Sequence, residues 1–141
     1  MTAPVTTNPG LPGFPSINDP TRLLVHMTAI SSGTDETNVA KVVRANLLLA
    51  GVVPKKINIA SIRWASQGFT YLKLSWDHTA DDTAMVLNGN GYDNFESVGC
   101  LRDPNTSADT VTGAIGDLLL SSVGATANAT YDITIECQLS L

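Results

Sequence analysis

The stretch Tyr131–Leu141, YDITIECQLSL, decides the fold. Tyr131, Ile133, Ile135, Cys137, Leu139 and Leu141 take one parity, and Asp132, Thr134, Glu136, Gln138 and Ser140 take the other. Successive side chains of an extended chain point to opposite faces, so an unbroken period of two predicts an antiparallel strand with one dry and one wet face. Arg22–Ile30, RLLVHMTAI, repeats the pattern: Leu23, Val25, Met27 and Ala29 oppose Leu24, His26, Thr28 and Ile30.

Working inward from these two ends, the same reading continues with interruptions. In Lys55–Ser66, KKINIASIRWAS, Ile57 and Ile59 share one parity while Ile62 and Trp64 share the opposite one. That slip at Ala60–Ser61 predicts a bulge within one long strand. Gln67–Gly68 is a short turn, and Phe69–Asp77, FTYLKLSWD, alternates again, so the two segments read as a hairpin. Thr83–Leu87 is a short strand ended by the turn signal Asn88-Gly89-Asn90-Gly91. Tyr92–Val98 is a further short segment, Cys100–Thr110 is a loop around Asp103-Pro104, and Thr112–Val123 carries the apolar run Leu118–Leu120. Asn38–Ala50 stays open: Val39, Val42, Val43, Leu47 and Ala50 fit helical spacing with Gly51 as a stop, but the tract also alternates tolerably. Seven or eight short strands between turn signals predict an all-β domain over residues 22–141, an antiparallel β-sandwich or jelly roll.

Residues 1–21 differ in kind. Five of the seven prolines lie here, at Pro4, Pro9, Pro12, Pro15 and Pro20, with Gly10 and Gly13 between them. Proline fixes φ and removes an amide donor, so the segment forms neither a helix nor a central strand. Val5, Leu11, Phe14 and Ile17 punctuate it, which a bare linker would not need. The segment reads either as a free tail or as an extended arm that docks these four apolar side chains on a partner, and the arm is the expectation.

Composition narrows the function. Of 141 residues, 43% are hydrophobic and 15% charged, and 8 basic against 13 acidic groups leave a net charge of −5. A chain this apolar is not a disordered polymer, and one this acidic lacks the basic footprint of a nucleic-acid binder. No run of about 18 apolar residues is present to cross a membrane as a helix, and MTAPVTTNPG has no secretory pattern. Thr, Ser and Asn number 16, 11 and 10 and replace the usual Lys and Glu. Interface cores are poor in charge, so this composition suits a surface covered by a partner as well as it suits a β protein from an acidic proteome.

Chemistry-bearing patterns are sparse. No nucleophile elbow, zinc-protease helix, P-loop or dinucleotide fingerprint occurs. His26 lies on a strand face and reads as structural. The tract Asp77–Asp82, DHTADD, could gather oxygen ligands for a cation but lacks the spacing of a calcium loop, so a solvated acidic turn is the expectation. Cys100 and Cys137 read as reduced thiols, Cys137 in the core. Trp64 and Trp76 share the parity of aliphatic residues, which favours core packing over sugar stacking. The expectations are no catalytic residue, no metal and no cofactor.

Several motifs in order carry a resemblance. They are Ile62-Arg63-Trp64, then Gly68, Leu72-Lys73-Leu74-Ser75-Trp76-Asp77, Val86-Leu87-Asn88-Gly89-Asn90-Gly91, Gly99-Cys100-Leu101-Arg102-Asp103-Pro104, Gly116-Asp117-Leu118-Leu119-Leu120-Ser121-Ser122 and Tyr131-Asp132-Ile133-Thr134-Ile135. The series, over residues 22–141, resembles small virion structural proteins of tailed bacteriophages that decorate or cement the capsid. Cys100 stands where that pattern has a second glycine, and Thr112-Gly113 is separated from Gly116-Asp117. The resemblance implies a strand at Asn38–Leu48, no catalysis, binding to the major capsid protein and to further copies of the chain (a trimer, for example), assembly in the host cytoplasm and a place on the capsid exterior, without nucleic acid or membrane. The rivals are a tail, neck or fibre subunit and a carbohydrate-binding β-sandwich using Trp64, Trp76, Tyr71 or Tyr92.

Overall fold

The computed structural model describes residues 22–47, 53–78, 80–104 and 116–140. Eight strands run β1 (Arg22–Ser32), β2 (Val39–Val42), β3 (Lys56–Gln67), β4 (Tyr71–Trp76), β5 (Asp82–Leu87), β6 (Asn90–Asn94), β7 (Leu118–Val123) and β8 (Ala127–Ser140). Single 3-10 turns occupy Arg44–Asn46 and Glu96–Val98. The strands form two antiparallel four-stranded sheets, ordered β1-β8-β3-β6 and β2-β7-β4-β5.

The period-two pattern of the C-terminus is the backbone of the first sheet. β8 pairs with β1 on one side, Val25 opposite Ile135, and with β3 on the other, Ile62 opposite Ile135. Ile133, Ile135 and Cys137 are wholly buried, and Leu23, Val25 and Met27 of β1 join them. Facing them from the second sheet are Leu72, Leu74, Leu118 and Leu120, again without solvent contact. Each such side chain contributes about 1.5–3 kcal/mol through removal of apolar surface from water, before the entropy of ordering it is set against that gain. Trp76 lies in the same core, 2% exposed, and its indole Nε1 donates across the sandwich to the Ile57 carbonyl at 2.8 Å. That bond ties the sheets at a place where an unpaired N–H would be costly.

The slip expected at Ala60–Ser61 is a bulge. The register of β3 against β8 shifts between Ile59 and Ser61, so Ile59 and Ile62 both face the core. The hairpin expected across Gln67–Gly68 is not formed. β3 lies in the first sheet and β4 in the second, and the short link between them crosses from sheet to sheet. Alternation fixes which face of a strand is dry but not which strand lies beside it, so a tight turn between two alternating segments suits either arrangement. Gly68 makes this corner with φ +85°, and a Cβ there would meet the Thr126 hydroxyl at 2.7 Å and the Ala129 Cβ at 2.8 Å.

Asn38–Leu48 departs from the strand that the resemblance implied. Among its described residues only Val39–Val42 is strand; the chain then makes the 3-10 turn at Arg44–Asn46, with Leu47 N–H donating to the Arg44 carbonyl at 3.0 Å, and Leu48 lies outside the described residues. The cause lies outside the segment. The Arg44 amide donates to Asp117 Oδ1 at 2.8 Å and its guanidinium donates to the Pro54 carbonyl at 2.9 Å. These tertiary bonds draw the backbone off the ladder.

The links β1–β2, β3–β4, β5–β6 and β7–β8 all cross between sheets at one end of the molecule and bond to one another there. Ser66 N–H donates to the Gly89 carbonyl at 2.8 Å, Thr70 N–H to the Val123 carbonyl at 2.8 Å and Thr126 N–H to the Gly68 carbonyl at 3.0 Å. Asp35 accepts from the amides of Gly124 at 3.1 Å and Ala125 at 2.9 Å. These bonds hold the Asp35 carboxyl below its ordinary value of 3.8, the Ala125 amide acting most strongly.

Candidate interaction surface

The arm residues Val5, Leu11, Phe14 and Ile17 lie outside the described residues, so the candidate surface is built from the β body. Register places the outward side chains of the first sheet in rows. One row runs His26, Thr134, Arg63, Tyr92, and the next runs Thr28, Asp132, Ala65, Asn90. His26 Nε2 lies 2.8 Å from Asp132 Oδ1. Arg63 stacks its guanidinium 5.3 Å from the Tyr92 ring centre, a cation–π contact that leaves the phenol half exposed. A shallow concavity of about 610 Å³ opens on the same face toward the crossing end, lined by Thr28, Ile30, Gln67, Asn90, Thr130 and Asp132 among others. Its chemistry is hydroxyl, amide and methyl, with one carboxylate. Such a surface can offer many modest polar contacts.

The polar groups held away from water serve the frame. Lys41 Nζ sits 2.6 Å from Glu36 Oε2 with both side chains nearly wholly buried, and the Tyr131 hydroxyl donates to Glu36 Oε1 at 3.1 Å. Burial and the neighbouring Glu36 push the Tyr131 phenol far above its usual range, so it acts as a fixed donor. At the opposite end His78 Nε2 approaches Asp103 Oδ1 at 2.7 Å, with 7% and 1% of the two side chains exposed. Asp103 N–H donates in turn to Asn58 Oδ1 at 3.0 Å. DHTADD is therefore not simply a solvated turn: its histidine pins the Asp103 loop, while Asp81 accepts from the His78 amide at 3.1 Å. Among the described residues no group of three or more His, Cys, Asp or Glu side chains is placed to hold a metal ion. Burial pushes the Cys137 thiol up to about 12, which keeps it protonated as a core filler.

Parity located the outward faces of β1 and β8, but the rows across strands, the Glu36–Lys41–Tyr131 cluster and the His78–Asp103 pair were not legible in the chain alone. One signal was present. Lys41 interrupts the otherwise apolar V-A-K-V of β2, and a lysine among such residues asks for a partner. The aromatic residues divide: Trp76 is core, and Trp64 packs partly buried beneath Gly91 with its Nε1 donating to the Asn88 carbonyl at 3.2 Å. A Cβ on Gly91 would collide with the Trp64 indole. Of the four aromatic residues considered for a sugar, Tyr92 is exposed, Trp64 and Tyr71 are half-buried and Trp76 is buried. Compared with known proteins, the chain matches no family model, no curated protein and no solved structure.

Proposed function

We propose that this chain is a non-enzymatic virion structural protein, a capsid decoration or cement protein that binds the major capsid protein lattice of a tailed phage and stabilises it. The observation that carries the reading is the strand order. First, eighth, third and sixth strands in one sheet, with second, seventh, fourth and fifth in the other, supports reading the two sheets as an eight-stranded jelly roll, an architecture of viral capsid domains. Lectins and cupins share that architecture, so the step from fold to role is an analogy. It draws support from the charge-poor composition and from an outer sheet face of hydroxyl and amide groups.

In this reading residues 1–21 form an extended arm reaching up to about 70 Å along a neighbouring capsid subunit, at about 3.3 Å per residue. Val5, Leu11, Phe14 and Ile17 are the side chains it docks. The body assembles in the host cytoplasm and lies on the capsid exterior, where symmetric repetition multiplies weak contacts through avidity. The test is to delete residues 2–17 and measure occupancy on shells of the cognate capsid protein. Occupancy should fall by about tenfold or more if the arm supplies a second point of attachment. Unchanged occupancy removes the arm from the account.

A further inference from the structure

The four edges of the two sheets are unequal. β2 has four residues and a bulge, β5 has six and a bulge, and β6 has five with Gly91 among them. These are the short or broken edges by which β proteins avoid adding strands. β1 differs: it has eleven residues, no proline, no lysine and an unbroken register from Arg22 to Ile30, and among the described residues its only ladder partner is β8. Among the described residues no strand pairs with its far edge along Leu24–Ile30. Two of the molecule's exposed large apolar side chains, Leu24 and Ile30, stand on its outer face at 37% and 58% exposure.

The outward residues of β1 are Leu24, His26, Thr28 and Ile30, and they are arranged evenly about Met27. We propose that β1 is a self-complementary edge that pairs antiparallel with β1 of a second copy about a two-fold axis at Met27, joining the two first sheets into one eight-stranded sheet. In that register Leu24 faces Ile30 of the partner subunit and His26 faces the partner subunit's Thr28, so both apolar side chains are covered twice over by the one operation. On the inner face Val25 meets Ala29 of the partner subunit. Paired side chains at this spacing are the unit by which sheets are stabilised, and a closed two-fold contact uses the same patch on both copies. A register moved by two residues either way would face Leu24 with Thr28 or Ser32 and leave Ile30 without an apolar partner, and a one-residue move would set outward residues against inward ones, so the side chains select one alignment. The inference rests on the self-association part of the proposed function and needs nothing of the capsid.

Sedimentation of the full chain tests it. The expected mass is twice the 14.8 kDa of one chain. Ile30→Glu should weaken the dimer about tenfold by placing a carboxylate against Leu24, with an unchanged melting temperature at protein concentrations where the wild type is monomeric. Leu24→Lys combined with Ile30→Glu should restore it, because the register sets the new charges opposite each other across the axis. In a Cys100→Ser background, Leu24→Cys with Ile30→Cys should close intermolecular disulfides on oxidation while either cysteine alone should not, since directly opposed strand residues lie within disulfide reach. A monomer at high concentration, a dimer indifferent to Ile30→Glu, or single cysteines that crosslink as well as the pair would overturn the proposal. So would dimers that appear only after residues 2–21 are deleted, which would make this chain's own N-terminal segment the occupant of the edge. A monomer that still saturates shells sinks the edge pairing and leaves the decoration role standing, and a dimer with no affinity for shells does the opposite.

Discussion

β8 and β1 lie side by side in one sheet, share the same alternation and bury the same kind of residue on their inner faces, yet they serve different ends. β8 has a neighbour on each side, β3 and β1, and its outward Asp132, Thr134 and Glu136 are polar. β1 has a described neighbour on one side only, and its outward face carries Leu24 and Ile30. Two outward apolar residues beside a ladder with no described partner are the proposed pairing surface. Position in the sheet, which the sequence does not print, turns one pattern into framework and the other into contact.

If that contrast is right, damage to the interior should reduce stability, and damage to the edge should reduce association alone. The largest loss should follow Lys41→Met, which strands the Glu36 carboxylate among buried groups and should cost about 3–5 kcal/mol in denaturant unfolding. Adding Glu36→Gln to it should recover much of that loss, because the isolated charge is then gone. Ile135→Ala in the centre of β8 should cost about 2–5 kcal/mol by the same measurement, through lost burial and the cavity left behind. Trp76→Phe keeps most of the apolar volume but leaves the Ile57 carbonyl without its indole donor, for about 1–3 kcal/mol. At the small end, Ile30→Glu should move monomer stability by no more than about 0.5 kcal/mol, as expected of an exposed position.

Acid sharpens the contrast between the two ends of the sandwich. Burial raises the carboxyl of Asp117 against the pull of Arg44, and burial followed by Asp81 and Asp117 raises that of Asp77. A raised carboxyl binds its proton more tightly in the folded state, so stability should grow as pH falls from neutral through those raised values toward the ordinary 3.8. Asp35 has the opposite sign. Its contribution is complete above the ordinary value and is lost as pH falls through its lowered one. Thermal melting followed from pH 7 to pH 2 should therefore rise slightly before it drops, and replacing Asp117 with Asn should flatten the rise.

What could be read from residues alone followed from periodicity. The parity of β8, the dry face of β1 and the bulge of β3 are local properties of spacing, and each is where the alternation put it. Strand partnership is not local. The turn at Gly68 promised a hairpin and made a crossing, because the competing choice depends on Ala129 and Thr126, some sixty residues away. The fate of Asn38–Leu48 turned on the Asp117 carboxylate, 73 positions from Arg44. Of the candidate surface, the outward faces of β1 and β8 were legible; their alignment into rows and the buried pairs beneath them were not, since Glu36 and Tyr131 are 95 positions apart.

The claim beneath all of this is that the chain works by lying against many copies of other subunits. Under the proposed function, counting its copies in purified virions of the encoding phage, by quantitative mass spectrometry against the major capsid protein, tests that claim most directly. The account predicts on the order of hundreds of copies per particle, as repetition over a symmetric shell requires. A count of about a dozen would assign the chain to a tail or neck, and none at all would contradict the account outright.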